Sequence, residues 1–268
     1  MSRITPEPGL RIENATVGYE QHIISSDLDV SIPAGSFTVI VGPNACGKST
    51  MLRLLARLLP SRTGRILLDG ADISSFRAKE LAKRLGLLPQ SAISPDGITV
   101  AELVARGRFP HQTLMHQWSG SDEQAVAAAL RATNTTDLST RLVDELSGGQ
   151  RQRVWVAMAL AQQTPYLLLD EPTTYLDIAH QIELLELFCS LHAQGRTLVA
   201  VLHDLNHAAR YATHIIAMKD GRIRAQGTPR EVITEELVKQ IFGLDCAVIE
   251  DPIAGGPMII PHGSAACR

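Results

Sequence analysis

The near-continuous apolar run Phe37-Thr38-Val39-Ile40-Val41 passes directly into the glycine-rich segment Gly42-Pro43-Asn44-Ala45-Cys46-Gly47-Lys48-Ser49-Thr50. From there Met51, Leu52, Leu54, Leu55, Leu58 and Leu59 recur at helical spacing as far as Pro60. A strand without polar alternation is buried on both faces, which demands a sheet covered by helices. A glycine loop between such a strand and a helix turns its backbone N–H groups, and the positive end of the helix, toward one point. The segment is therefore expected to cradle phosphate. Lys48 supplies a point charge to the β- and γ-phosphates of a nucleotide, and Ser49 supplies a hydroxyl to Mg²⁺.

A second glycine loop, Leu146-Ser147-Gly148-Gly149-Gln150, also leads into helical sequence. Its glycines let the backbone approach an anion, Ser147 adds a hydroxyl, and the helix behind adds its dipole. Those residues alone are equally adequate as an ordinary helix cap. A nucleoside triphosphate, however, has one set of β- and γ-phosphates. Two anion loops in one chain point to a nucleotide shared between two copies of it.

The apolar run Leu167-Leu168-Leu169 ends in Asp170-Glu171, at the carboxyl edge where open α/β sheets bind ligands. Asp170 is placed to hold Mg²⁺ through its water shell, and Glu171 to polarise an attacking water. Gln90 closes a short apolar strand, and its amide can both ligate Mg²⁺ and orient water. His203 follows the strand Thr197–Leu202 and could reach a γ-phosphate, although a histidine there is by itself as readily structural.

Around these motifs the pattern alternates between strand and helix. Arg11–Tyr19, Ile23–Ile32 and Arg65–Leu68 read as strands, the last closed by Asp69-Gly70. Between Ser91 and Ser147 strand signals vanish, and helices are expected at Val100–Ala105 and at Ser121–Ala132, the latter opened by a Ser121/Gln124 capping box. Helices at Gln152–Gln162 and Ile178–Leu191, a hairpin at Asp220-Gly221 and a capped helix start at Thr228-Pro229-Arg230-Glu231 follow. The tail from Glu250 reads as a small hairpin around Gly255-Gly256 with a disordered end. The 268 residues suffice for a large α/β domain with an inserted helical part. A net charge of −3 with dispersed basic residues gives no electrostatic case for nucleic acid. Cys46, Cys189, Cys246 and Cys267 lack metal or redox spacing, so a reduced, cytosolic setting is expected. No apolar run approaches the roughly eighteen residues that span a bilayer.

Taken in order, these motifs resemble the ATP-binding subunit of ABC transporters, from about Leu10 to Phe242. The resemblance makes Gly42–Thr50 the Walker A loop, Gln90 the Q-loop residue, 146–150 the signature, 166–171 Walker B, Thr174-Tyr175-Leu176-Asp177 the D-loop and His203 the switch histidine. It also makes Tyr19 the aromatic that stacks on adenine. It implies an α/β P-loop NTPase core over residues 10–246, with an N-terminal antiparallel β subdomain, a helical subdomain inserted at about 91–155, and a C-terminal hairpin and tail over 247–268.

The family implies a head-to-tail dimer with ATP and Mg²⁺ at each interface. Ser147, Gly148, Gly149, Gln150 and Asp177 of one copy would face the nucleotide held by Lys48 of the other. Two membrane permease subunits would dock near the Q-loop and the helical insertion, at the cytoplasmic face of the membrane, with an extracytoplasmic binding protein delivering cargo. Arg106-Gly107-Arg108-Phe109-Pro110-His111, Asp170–Glu183, His203–Tyr211 and the hairpin from Asp251-Pro252 are similar to importers of ferric siderophores, haem and cobalamin. A soluble ABC ATPase of DNA repair or translation would carry a long coiled-coil insertion or paired ATPase units, and neither is seen. The family usually has glycine at the position of Ala45. If φ is positive there, alanine costs about 1–2 kcal/mol, and ATP binding is expected to persist.

Overall fold

The computed structural model describes residues 9–19, 22–91, 93–113 and 118–263. Cys267 and the end of the tail, expected to be disordered, lie outside the described residues. The chain runs through β1 (Gly9–Tyr19), β2 (His22–Pro33), β3 (Phe37–Val41), α1 (Lys48–Leu55), β4 (Thr63–Leu68), β5 (Ala71–Asp72), α2 (Ala78–Arg84), β6 (Leu85–Leu88), α3 (Val100–Ala105) and α4 (Gly120–Ala132). It continues through α5 (Gly148–Ala161), β7 (Tyr166–Leu169), α6 (Ile178–Ala193), β8 (Thr197–Val201), α7 (Leu205–Tyr211), β9 (His214–Lys219) and β10 (Arg222–Gly227). The last elements are α8 (Pro229–Val232), α9 (Glu235–Phe242), β11 (Cys246–Glu250) and β12 (Pro257–Pro261). Contacts divide it into two compact units, Met1–Ser75 with Val199–Arg268, and Phe76–Leu198.

In the first unit, β2-β1-β4-β5 form an antiparallel sheet. β3 pairs in parallel with β9, which pairs antiparallel with β10. Every residue of β3 is buried, as its apolar run requires. Asp220-Gly221 turns β9 into β10 with φ of 51° and 72°, the primed-turn geometry that Asp-Gly favours. α1 stops short of the expected Leu59. Arg57 takes a left-handed φ of 56°, and its N–H and that of Leu58 close back on the carbonyls of Leu54 and Arg53. That double closure ends a helix by satisfying its last carbonyls, and it leaves Leu58 67% exposed.

In the second unit, β6 pairs in parallel with β7 from Leu85↔Tyr166 to Leu88↔Leu169. α3, α4 and α5 pack together. α4 begins earlier than expected, capped by Ser119 and boxed by Asp122 rather than by Ser121 and Gln124. The reason is a buried charge. The Asp122 carboxylate accepts from Ser119 Oγ at 2.6 Å and from Arg108 Nε at 2.8 Å, bonds a neutral Gln124 could not match. Arg108 also donates to Ala161 O, and the His111 ring bonds Gln162 O, so the Arg106–His111 segment ties down the C-terminal carbonyls of α5. α5 itself starts at Gly148, ahead of the expected Gln152. No helix among the described residues is long and apolar enough to cross a membrane.

Candidate functional site

The first glycine loop lies wholly in the first unit. Gly42 has φ 154°, and a Cβ there would meet Met218 O at 2.3 Å, so the strand exit admits only glycine. Ala45 does take a left-handed φ, 60°, confirming the condition under which alanine is strained. Gly47, at φ 103°, is the N-cap of α1 and offers no side-chain cap, and no acidic residue stands in the first turn. The N-cap itself thus offers the leading N–H groups no side-chain acceptor, which fits an anion. Pro43, Asn44, Cys46 and Thr50 complete the loop and its entry into α1. Lys48 is buried, and its ammonium donates to Gly42 O and Pro43 O, both at 2.8 Å. Burial pushes the Cys46 thiol up from its ordinary range, which keeps it unreactive.

His203 stands at the exit of β8, just before Asp204. Asp204 caps α7 by accepting from the N–H groups of Asn206 and His207 at 2.7 and 2.9 Å. Tyr19 closes β1, and its side chain lies outside the described residues.

The second unit gathers the other predicted residues. Asp170 follows β7 and is 2% exposed; its N–H donates to Leu88 O at 2.9 Å. Glu171 has a left-handed φ of 52°. Its Oε2 accepts from Gln90 Nε2 at 2.7 Å, across 81 residues of sequence, with Thr174 Oγ1 at 3.4 Å. Gln90 therefore holds the carboxylate directly, a contact that neither motif announces. No group of three or more His, Cys, Asp or Glu among the described residues could cage a metal. Mg²⁺ suits such a place only in company with phosphate oxygens, its usual mode in nucleotide sites.

Ser147 is the N-cap of α5, in a reciprocal box with Gln150: Gln150 N donates to Ser147 Oγ at 3.3 Å, and Ser147 N donates to Gln150 Oε1 at 3.1 Å. Beside Gly148 and Gly149 lies the Tyr175-Leu176 turn, with Tyr175 at φ 67° and 79% exposed. Between them opens a cavity of about 620 Å³, bounded by Ser147–Gln150, Tyr175–Asp177, Arg153 and His180. Asp177 caps α6, accepting from His180 N at 2.9 Å and pairing with His180 Nδ1 at 2.8 Å; these bonds hold its carboxyl below the usual range. Arg153 and His180 were not foreseen. Each sits three residues, one helical turn, beyond a predicted residue, Gln150 and Asp177, and that spacing could have found them.

Comparison with known proteins shows the family. Residues 25–174 match the family described as "ABC transporter". The chain is 55% identical over 258 residues to the ferric enterobactin transport ATP-binding protein FepC of Escherichia coli (strain K12), covering 96% of this chain and 95% of that protein. It is 45% identical over 254 residues to the iron(3+)-hydroxamate import ATP-binding protein FhuC of Bacillus subtilis (strain 168), covering 94% of each. A solved dimer of MJ0796, a bacterial ABC transporter cassette, superposes with a TM-score of 0.74 at 28% identity, covering 82% of this chain and 99% of that one. Motif order, fold and relatives agree: the chain belongs to the ABC transporter family and has the P-loop ATPase fold of its cassettes.

Proposed function

We propose that this chain is the ATP-binding and ATP-hydrolysing subunit of an importer of iron–siderophore complexes, acting as a dimer on two permease subunits at the cytoplasmic face of the membrane. The observation that supports the catalytic part is the 2.7 Å bond from Gln90 to Glu171, which fixes the orientation of a carboxylate at the strand end. The names of the ferric enterobactin and iron(3+)-hydroxamate relatives support the cargo. Cargo would reach the permease from an extracytoplasmic binding protein.

MgATP is the substrate. Tyr19 would stack on adenine, and Gly42–Thr50 would wrap the phosphates with Lys48 on the β/γ oxygens. Ser49, Asp170 and Gln90 have the oxygen chemistry that Mg²⁺ prefers. Glu171 orients water toward the γ-phosphorus and takes its proton as the bond to ADP breaks, while His203 contacts the γ-phosphate. Ser147, Gly148, Gly149, Gln150 and Asp177 of a second copy complete the site. The open cavity beside the signature loop supports that assignment, since it leaves Ser147 and Gly148 exposed to an approaching surface. The domain boundaries at residues 10–246, about 91–155 and 247–268 belong to the same proposal.

The test is mixing. Lys48→Ala and Ser147→Ala chains, each inactive with the permease, are combined in equal amounts. Half of the dimers then pair the two variants and keep one composite site of two, so about a quarter of wild-type turnover returns. No recovery would remove the shared site. A deletion strain is then grown on defined iron sources, and normal growth on every ferric siderophore with failure on cobalamin would overturn the cargo.

A further inference from the structure

Two segments of the first unit meet without serving the nucleotide: helix α7 and the C-terminal β11–β12 hairpin. Asn206 uses both ends of its amide on one strand residue, donating from Nδ2 to Ile259 O at 3.2 Å and accepting at Oδ1 from Ile259 N at 2.7 Å. It thereby takes the place a neighbouring strand would take on the outer edge of β12. One turn further along the same helix face, Arg210 makes a fork to the Asp251 carboxylate, Nε to Oδ2 at 2.9 Å and Nη2 to Oδ1 at 3.1 Å. Asp251 is buried and also accepts from the N–H groups of Ile253 and Ala254, so the bridge is anchored in the hairpin turn itself. The backbone of Gly256 lies against Ala209 O, close enough that a Cβ there would sit 3.4 Å away.

A helix of seven residues does not hold its shape alone in water. α7 packs against β3 and α8 with Ala208 and Ala209 buried, is capped by Asp204 at one end, and is hydrogen-bonded along its face by the hairpin. His203 stands immediately before that cap, so wherever α7 is held, the histidine is held too. We propose that the C-terminal hairpin is a clamp that positions His203, so that Asn206, Arg210 and Asp251 set the rate of ATP turnover without contributing to ATP affinity. The inference rests on the reading of His203 as the γ-phosphate contact.

The test uses the full chain assembled with its permease subunits. Asn206→Leu and, separately, Arg210→Met are expected to lower kcat about ten- to a hundredfold, as small misplacements of a reacting group do, with KM for ATP within about twofold of wild type. Arg210→Lys, which keeps the charge but not the fork, should recover part of the loss. Arg210→Met added to His203→Ala should slow the enzyme no further, because both changes remove the same interaction. Hydrogen exchange should quicken in α7 while β3 and β9 stay protected. Unchanged kcat, a parallel rise in KM, additive losses in the double variant, or unchanged α7 exchange would each overturn the clamp. A His203→Ala protein as fast as wild type would instead overturn the role of His203, and exchange in α7 would then read the clamp by itself.

Discussion

The two glycine loops both open helices, yet they are built for opposite situations. Around Gly42–Thr50 the loop is bound to its own strand and helix: Lys48 is buried on the loop carbonyls, Gly42 abuts Met218 O, and the N-cap supplies no side chain. Around Ser147–Gln150 the helix is capped from within, and the glycines face an open cavity of about 620 Å³. A helix start whose N-cap supplies no side chain suits an anion bound by that chain alone. A capped, exposed one contributes only when another surface is brought to it. The asymmetry matches a nucleotide bound by one copy and completed by its neighbour.

The sharpest way to break this comparison is to disable each loop in turn. Lys48→Ala should lower hydrolysis at least about a hundredfold and also abolish ATP binding to the isolated chain, measured by calorimetry. Ser147→Ala should lower hydrolysis comparably but leave that binding intact. Equal loss of binding in both variants would erase the distinction. Glu171→Gln should reduce turnover by about 10²–10³ and let the ATP-loaded dimer accumulate, seen by light scattering; a fully active variant would reject Glu171 as the group that acts on water.

The framework behind the second loop gives the next effect. Arg108→Met leaves Asp122 buried beside Ser119 without its cation, which should cost about 3–5 kcal/mol in urea unfolding. Hydrogen bonds from Ser119 and Arg108 depress the folded Asp122 pKa. The stability it contributes is therefore complete above the ordinary carboxylate range and is lost as pH falls through the depressed folded value. The variant should show a shallower acid limb. The smallest effect belongs to the first loop. Ala45→Gly relieves a φ of 60° but frees the unfolded chain, so the net gain in stability should stay below about 1 kcal/mol, with ATP affinity little changed. An absence of ATP binding in the wild type that Ala45→Gly restored would make the loop's fit depend on that one methyl group.

Much of the site was legible because its chemistry is local. Gly42–Thr50, Ser147–Gln150 and Asp170-Glu171 carry their turns, caps and charges within a few residues, and the structure keeps each on the predicted kind of element. The errors are also local, and each has a distant cause. α4 is capped at Ser119 because Arg108, from another segment, selects Asp122. α1 ends at Leu55 because Arg57 turns left-handed, and its guanidinium then reaches Ile73 O at 2.9 Å. Nothing in the periodicity of Leu58 and Leu59 foretells that contact.

The residues by themselves determined which backbone could wrap phosphate, where the carboxylates stood and which strands were buried, since glycine freedom, helix capping and side-chain alternation act between near neighbours. Only the tertiary structure decided that Gln90 holds Glu171 at 2.7 Å, that Arg153 and His180 share the signature cavity, and that the C-terminal hairpin grips α7. Such pairings join residues far apart in the chain, and their geometry depends on how whole strands and helices pack, a quantity that no short stretch of sequence contains.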